Sequence, residues 1–520
     1  MKYLQSFAQQ FFPLSVVSPA SEHKDLAVSL ETTSSAMKPS TRGKLLAATL
    51  AAALFLFLSG SGSAQAQTAT VNWTNVHQVI DGFGASNEDQ GASMSAAHQA
   101  FFFGTGTGQL GLSLLRVGVT DGSQDPGNCT SVSTSCAGVY ISDMQAVIAN
   151  GGRVYATPWS PPAAYETNGS THCEAGSGNG GPNPSDYASY ATWLANFVKS
   201  LKTEDGIALY AISLQNEPDQ CQPYDSALWS AGDIDTFIRS DMGPTFTSDG
   251  LSTLIFVPEG GSYSASNNLG AACGSDSSCN QYANFNWHDY DASLSGKDSV
   301  AADPYPSGWP QGKKFWETEA SCGDGYGPNF CESGFNTDMT TDGLGWAAVI
   351  DQRIAGDGAN AWLYWQMIDY NLAGGAPTTD DGGLMSNAAG GYVAAKRAYV
   401  LGQYSKFVRP GYYRIDATHV PQTGVSVSAY QNKSSNNLVI IATNYSSSSV
   451  SQSFNITNAP TFTTLVPTTT SVSLSLATQP SISVSGNSFT YTLPAQSITT
   501  FVANSSTPSA PSNLAGKVIQ

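Results

Sequence analysis

Apolar residues in this chain fall into short clusters separated by polar stretches, and the character of the clusters changes once. Between about residues 79 and 366 the apolar or β-branched runs are 79–85, 112–119, 153–158, 209–214, 253–258, 299–303, 314–318 and 359–365. Loops and helix-compatible stretches such as 185–201 and 233–242 separate them. Eight strands alternating with helices predict an α/β fold, a (β/α)8 TIM barrel. After Lys406 the runs 425–430, 438–444, 451–456, 471–476 and 490–493 are rich in Thr, Val and Ser, with Asn-Asn or Gly-Asn turns between them. Period-two alternation of this kind predicts an all-β side domain, a small sandwich. The expected boundaries are a barrel over 67–405, the sandwich over 406–503 and a linker-like tail over 504–520. Residues 71–73 precede the first barrel strand and are expected to add an edge strand to the sandwich.

The one long apolar run, 45–58, is shorter than the roughly 20 residues a membrane-crossing helix needs. Lys38, Arg42 and Lys44 precede it and Ala64-Gln65-Ala66 follows it, the order of a secretory signal with cleavage after Ala66. Residues 37–66 are therefore expected to be a signal peptide, and residues 1–36 an upstream extension with no structural role. The mature protein is expected to be secreted, extracellular or periplasmic, monomeric and free of the membrane. With 21 Lys plus Arg against 39 Asp plus Glu the chain carries −18 and has no polybasic run, which argues against a nucleic-acid groove or an anionic membrane surface as partner. Only 12% of residues are charged, so a neutral partner fits better. Eight cysteines, an even number in an exported chain, read as disulfides. The close pairs are Cys129 with Cys136, Cys273 with Cys279 and Cys322 with Cys331, leaving Cys173 for Cys221, although spacing does not fix the pairing. No cysteine–histidine cluster supports zinc, and no metal or cofactor is expected.

Functional groups of a (β/α)8 barrel project from the C-terminal ends of its strands. The fourth run ends in Gln215-Asn216-Glu217-Pro218 and the seventh in Trp316-Glu317-Thr318-Glu319-Ala320. Two carboxylates on different strands of one face can converge on a single bond, as glycoside hydrolysis requires: a protonated acid for the leaving oxygen and an ionised partner for the anomeric carbon. A carboxyl separation of about 5–5.5 Å means retention through a covalent intermediate, and a wider gap means inversion.

Asn216-Glu217-Pro218 and Thr318-Glu319-Ala320 resemble the strand ends of retaining barrel glycosidases. Three further segments are similar to glycoside hydrolase family 30: Ile80-Asp81-Gly82-Phe83-Gly84-Ala85, Thr157-Pro158-Trp159-Ser160-Pro161-Pro162, and Ser405-Lys406-Phe407-Val408-Arg409-Pro410-Gly411. The ending Leu493-Pro494-Ala495-Gln496-Ser497 fits that family's side β-domain, and the resemblance covers nearly all of residues 70–503. It implies that Glu217 is the acid/base, Glu319 the nucleophile and Asn216 the amide that meets the sugar 2-hydroxyl. By the same resemblance Arg116 lies near the nucleophile, and Trp159 and Trp365 wall the sugar site. Tyr305, in Asp303-Pro304-Tyr305, matches a family position normally preceded by histidine, which is missing here. Glu259 and Asp303 are expected to cap loops or bond structurally, and His172 and His288 to be structural.

Glu317 is awkward. Side chains two apart on a regular strand face the same way, which would stack Glu317 directly below Glu319. The expectation is a protonated or paired Glu317, or a bulged strand and a misassigned nucleophile.

The family resemblance leaves several substrates: xylan, 1,6-linked glucan or galactan, fucose-bearing chains and glucosylceramide. In relatives that need a glucuronic acid branch, an arginine after strand eight grips its carboxylate. Here residues 369–384 contain Asp380 and Asp381 and neither Arg nor Lys. The expectation is a secreted retaining endo-glycosidase acting on a polysaccharide, xylan without dependence on that branch. A 1,6-galactanase or 1,6-glucanase is the second choice, and a non-catalytic carbohydrate-binding protein is the rival from another class.

Overall fold

The computed structural model describes residues 67–87, 93–119, 140–174, 179–296, 298–322, 328–331, 337–369, 382–386 and 392–504. The expected upstream extension and signal peptide, the Cys129–Cys136 pair, Asp380, Asp381 and the tail 505–520 lie outside these residues.

The first strand, β1 (Ala69–Val79), belongs to the side domain. Then β2 (Gly82–Ser86), β3 (Leu114–Val119), β4 (Arg153–Pro158), β5 (Ala211–Ser213), β6 (Leu254–Gly260), β7 (Ala283–His288), β8 (Phe315–Glu319) and β9 (Ala361–Gln366) close into a parallel barrel, β9 pairing with β2. Apolar side chains on alternate positions divide between two cores. Leu114, Tyr155, Ala211, Phe256, Trp316, Ala361 and Leu363 fill the barrel interior, while neighbours such as Leu115, Val154, Ile212, Phe315 and Trp362 pack outward with the helices. This two-faced burial is why the strands are nearly continuous apolar runs.

One strand of the eight was misplaced by the sequence pattern. Residues 299–303 form no strand and contribute only an isolated bridge at Val300. The barrel instead uses β7, Ala-Asn-Phe-Asn-Trp-His, whose alternation of Ala283, Phe285 and Trp287 facing out was masked by asparagines facing in. Asn286 donates to the Tyr155 hydroxyl at 2.9 Å and Asn284 to the Ile255 carbonyl at 3.2 Å, so these buried amides are satisfied.

Two of the family-like motifs serve the scaffold. Asp81 receives the Trp316 indole N–H at 3.0 Å, the Tyr210 hydroxyl at 2.9 Å and the Lys314 ammonium at 2.8 Å. Gly84 is obligatory because a Cβ there would lie 2.0 Å from the Leu114 carbonyl oxygen. At the end of the helix Lys396–Ser405 the Ser405 hydroxyl donates to the Leu110 carbonyl at 2.7 Å, and beyond it Arg409 donates to the Asn150 carbonyl at 2.9 Å, buckling the chain to the barrel.

Short strands β10 (Ile368–Asp369), β11 (Met385–Ser386) and β12 (Val393–Ala394) form a small sheet of their own, and the side domain is one further hydrogen-bonded sheet. It comprises β1 with β13 (Tyr413–Ala417), β14 (Val425–Asn432), β15 (Asn437–Asn444), β16 (Val450–Thr457), β17 (Thr464–Thr470), β20 (Ser488–Leu493), β21 (Ser497–Asn504) and two short strands. It has its own core, including Val71, Ile415, Ile440, Phe454, Phe489 and Phe501. The N-terminal strand is not at an edge: β1 lies between β13, antiparallel, and β16, parallel.

Candidate active site

Three barrel strands carry register shifts near their C-terminal ends, and each delivers a residue to the same mouth. Between β6 and β7 the shift leaves Glu259 unpaired, between β7 and β8 it leaves Thr318, and between β9 and β2 it leaves Trp365. A bulge re-aims the side chains that follow it. The Thr318 bulge answers the Glu317 problem: Glu317 pairs with Trp287 and Glu319 with His288, so the two glutamates do not share a face. Trp316 fills the barrel interior, the fully buried Glu317 beside it turns away, and Glu319 reaches the mouth. The bulge was expected to accompany a misassigned nucleophile; it sets Glu319, and not Glu317, at the barrel mouth.

Glu217 follows β5. The Asn216 N–H donates to the Pro158 carbonyl at 2.7 Å and the Glu217 N–H to the Glu259 carbonyl at 3.0 Å, which pins this segment between its neighbouring strands. Glu217 and Glu259 both hold positive φ, 43° and 65°, a strained backbone for non-glycine residues of the kind that gathers at functional sites. A Cβ on Gly261 would lie 3.1 Å from Glu217 Oε1, so glycine keeps that space open.

Arg116, within β3 and fully buried, ties the cluster together. Its Nη1 donates to Glu319 Oε2 at 2.5 Å, its Nε to Glu259 Oε1 at 3.2 Å and its Nη2 to Asn216 Oδ1 at 2.6 Å. The last contact fixes the Asn216 carbonyl end and leaves its amide N–H groups for a ligand. The guanidinium lies 4.8 Å from the Trp159 ring centre and 5.8 Å from that of Trp365, and the two indoles are 5.9 Å apart. Glu217, Glu319, Asn216, Arg116, Trp159 and Trp365 thus come together at the barrel mouth.

Tyr305 does not. Its hydroxyl donates to the Pro310 carbonyl at 2.7 Å and its ring packs on Phe315, which faces the outer core. The error follows from the misplaced strand: Asp303-Pro304-Tyr305 ends no barrel strand. The residues at that place are His288-Asp289-Tyr290, closing β7. The Tyr290 hydroxyl donates to Glu319 Oε1 at 2.8 Å, and His288 Nδ1 lies 3.1 Å from Glu217 Oε1 and 3.6 Å from Glu319 Oε1. His288 was expected to be structural and Glu259 a loop cap, yet both belong to the cluster. The legible signal was the spacing of Ala283, Phe285 and Trp287, which ends a strand at His288.

The electrostatics follow from burial. Desolvation alone would lower the His288 pKa, but Glu319, Glu217 and Glu259 lift it to about 10, so the imidazole is a cation at neutral pH. Burial opposes charge on Glu259, but Arg116 and His288 outweigh it and hold that carboxyl below its ordinary value. Glu319 is pushed up by burial, with Glu217 adding to the push, while His288 and Arg116 pull against it. Glu217, His288 and Glu319 each offer one ligand atom within 4.8 Å of the others. A protonated His288 and the Arg116 guanidinium on Glu319 make that trio a poor cation site. The same distance brings a carboxylate oxygen of Glu217 within 4.8 Å of one of Glu319, a spacing compatible with double displacement and tight for a carboxylate pair flanking water.

A (β/α)8 barrel with paired glutamates at its mouth, a protonated imidazole between them and indoles beside them has the construction of a retaining glycoside hydrolase. Comparison with known proteins gives the family. Residues 137–255 match a model of the glycosyl hydrolase family 30 TIM-barrel domain. The glucuronoxylanase XynC of Bacillus subtilis strain 168 is 32% identical over 443 residues, 84% of this chain and 91% of that protein. A crystal structure of the glycoside hydrolase family 30 subfamily 8 xylanase Xyn30A from Clostridium acetobutylicum superposes with a TM-score of 0.68 at 32% identity, covering 84% of this chain and all of the other. A family 30 endoxylanase from Clostridium papyrosolvens C71 gives 0.66 at 30% identity, again over 84% of this chain and all of the other. The chain belongs to glycoside hydrolase family 30 and is a glycoside hydrolase of that retaining family.

Proposed function

We propose that this protein is a secreted endo-xylanase that cleaves the β-linked xylan backbone with retention and without need of a glucuronic acid branch. The observation that carries the catalytic part is the convergence of Glu217 and Glu319, whose carboxylate oxygens come within 4.8 Å under a shared His288. In the first step a Glu319 oxygen forms a bond to the anomeric carbon. The bond to the leaving oxygen breaks, and that oxygen takes the Glu217 proton. In the second step Glu217 takes a proton from water, the water oxygen bonds to the anomeric carbon, and Glu319 is released.

Charge counting supports this assignment. Arg116 and His288 supply two positive charges against three carboxyls, so one proton on the trio balances the site. Glu319 receives donors from both Arg116 and Tyr290, whereas Glu217 is the more exposed of the pair and among the described side chains receives only His288. With two donors on its carboxylate, Glu319 is the better placed of the two to attack as an anion, which leaves the acid role to Glu217. The Asn216 amide is placed for the sugar 2-hydroxyl, and Trp159 and Trp365 for the apolar faces of the ring.

Xylan as substrate is supported by the names of the relatives that align over most of this chain. Independence of glucuronate rests on residues 369–384, where Asp380 and Asp381 stand and Arg and Lys are missing, a local charge that repels a carboxylate. Secretion is supported by the 37–66 pattern and by the disulfides Cys173–Cys221, Cys273–Cys279 and Cys322–Cys331. No helix among the described residues is long and apolar enough to cross a membrane. Product analysis on arabinoxylan, glucuronoxylan, 1,6-galactan and 1,6-glucan tests the reading. It expects new reducing ends from both xylans at comparable rates. Cleavage of glucuronoxylan alone overturns branch independence, products from a 1,6-linked chain alone overturn the substrate, and binding without new reducing ends overturns catalysis.

A further inference from the structure

Glu317 has no part in the chemistry above, yet it is fully buried two residues from the proposed nucleophile. Its Oε1 accepts the Glu319 backbone N–H at 2.9 Å and its Oε2 accepts the Leu363 backbone N–H of β9 at 3.0 Å. These donors lie where the sheet is interrupted. The register of β8 with β9 holds the single pair Trp316 with Ala361, and past the end of β8 the Trp365 N–H donates to the Ala320 carbonyl at 2.8 Å. Between those points lies the Thr318 bulge, which displaces the β8 backbone from the regular ladder. A buried N–H without an acceptor is costly, and one carboxyl group satisfies both, although burial pushes the Glu317 pKa well above its ordinary value.

We infer that Glu317 is a positioning residue: its carboxyl oxygens replace the backbone bonds lost at the Thr318 bulge and so fix the direction in which Glu319 leaves the strand. The inference rests on Glu319 being the nucleophile and adds what holds it there. The aim of Glu319 is constrained at both ends of the residue. Its side chain is received by Arg116 and Tyr290, and its backbone N–H is held by Glu317. Its carbonyl accepts the Asp289 N–H at 2.8 Å, and the Asp289 side chain is clamped by Arg353 at 2.7 and 2.8 Å. An apolar residue at 317 could occupy the space but could accept neither N–H.

The test is inactivation by an aryl 2-deoxy-2-fluoro-β-xylobioside with a dinitrophenolate leaving group. A Glu319 oxygen bonds to the anomeric carbon, and dinitrophenolate departs with the electron pair and needs no proton. Dinitrophenolate release therefore reports nucleophilic attack alone. Digestion of the inactivated wild-type protein should place the sugar on Glu319; a label elsewhere refutes the underlying assignment irrespective of Glu317. Given that label, Glu317→Gln keeps one acceptor and turns an amide N–H₂ toward the other backbone donor. Its inactivation rate constant should fall at least about tenfold, within the ~10²-fold that a 1 Å misplacement of a reacting group costs. The inactivator's dissociation constant should stay within about twofold. Glu317→Met, which removes both acceptors, should fall further. A rate constant unchanged in both variants, at a temperature where both are folded, overturns the inference. So does a loss confined to binding or to thermal stability.

Discussion

Replacing Arg116 by alanine removes one of two positive charges from a buried site that holds three carboxyls. In the native site Glu259 and Glu319 each sit on the guanidinium, at 3.2 and 2.5 Å, with side-chain exposures of 0% and 6%. Removing one partner of a buried ion pair costs about 3–5 kcal/mol, because the remaining charge has neither water nor counter-ion. The site avoids that cost by binding a proton. Glu319, already pushed up by burial, is the group that takes it, whereas Glu259 keeps His288 at 3.6 Å. A protonated Glu319 cannot attack. At about 1.4 kcal/mol per factor of ten, kcat/KM at neutral pH should fall by roughly 10²- to 4 × 10³-fold. The pH profile should also change form. Where the native enzyme is flat, log kcat/KM of Arg116→Ala should climb with pH toward unit slope, since each pH unit returns tenfold more ionised Glu319. The assay is initial rate against pH with an aryl xylobioside, with and without millimolar guanidinium, which should refill the vacated volume and partly restore the neutral rate. A loss under about tenfold with an unchanged profile would refute the reasoning and leave Arg116 as a structural ion-pair partner.

Tyr290→Phe deletes the hydroxyl donated to Glu319 and should lower kcat by about 10- to 100-fold, the value of a hydrogen bond to a charged group at ~1.5–3 kcal/mol. Tyr305→Phe should stay within about twofold in the same assay. Stability should fall as pH rises, because the shifted buried groups hold protons more tightly when folded: Glu166 and Asp303 at about 8 against ordinary values of 4.5 and 3.8, and His288 at about 10 against 6.5. Urea midpoints should therefore drop from about pH 4 to pH 10, and His288→Gln should flatten the part above pH 7; a midpoint that rises over that range contradicts the protonated cluster. The Cys173–Cys221 bridge spans a sequence separation of 48 and ties the loop after Glu217 to the loop after β4. Loop-closure entropy assigns it about 4 kcal/mol, to be measured by urea unfolding of the Cys173→Ser, Cys221→Ser double variant, and an unchanged unfolding free energy would show the link to be dispensable.

The sequence by itself determined the architecture and the two glutamates that meet at the barrel mouth. Apolar runs buried on both faces, repeated eight times with helix-compatible spacers, admit few folds besides a parallel barrel. Once the strand ends were located, Glu217 and Glu319 followed from where barrel strands present their side chains. The Cys273–Cys279 and Cys322–Cys331 bridges also join residues close in sequence as expected, and Cys173–Cys221 is the pair that elimination left. Only the tertiary structure decided what surrounds the pair. β7 was hidden because its inward residues are asparagines satisfied by Tyr155 and Ile255, partners 131 and 29 residues away in sequence. Missing that strand moved the site tyrosine from Tyr290 to Tyr305. The roles of Glu259 and His288 were equally invisible, since a buried charge is functional or structural according to which opposite charge the fold sets beside it. Glu317 and Glu319 show the limit most clearly. Period-two alternation puts them on one face, and a single unpaired residue at Thr318, fixed by contacts to β7 and β9 rather than by local preference, sends one to the mouth and the other behind it.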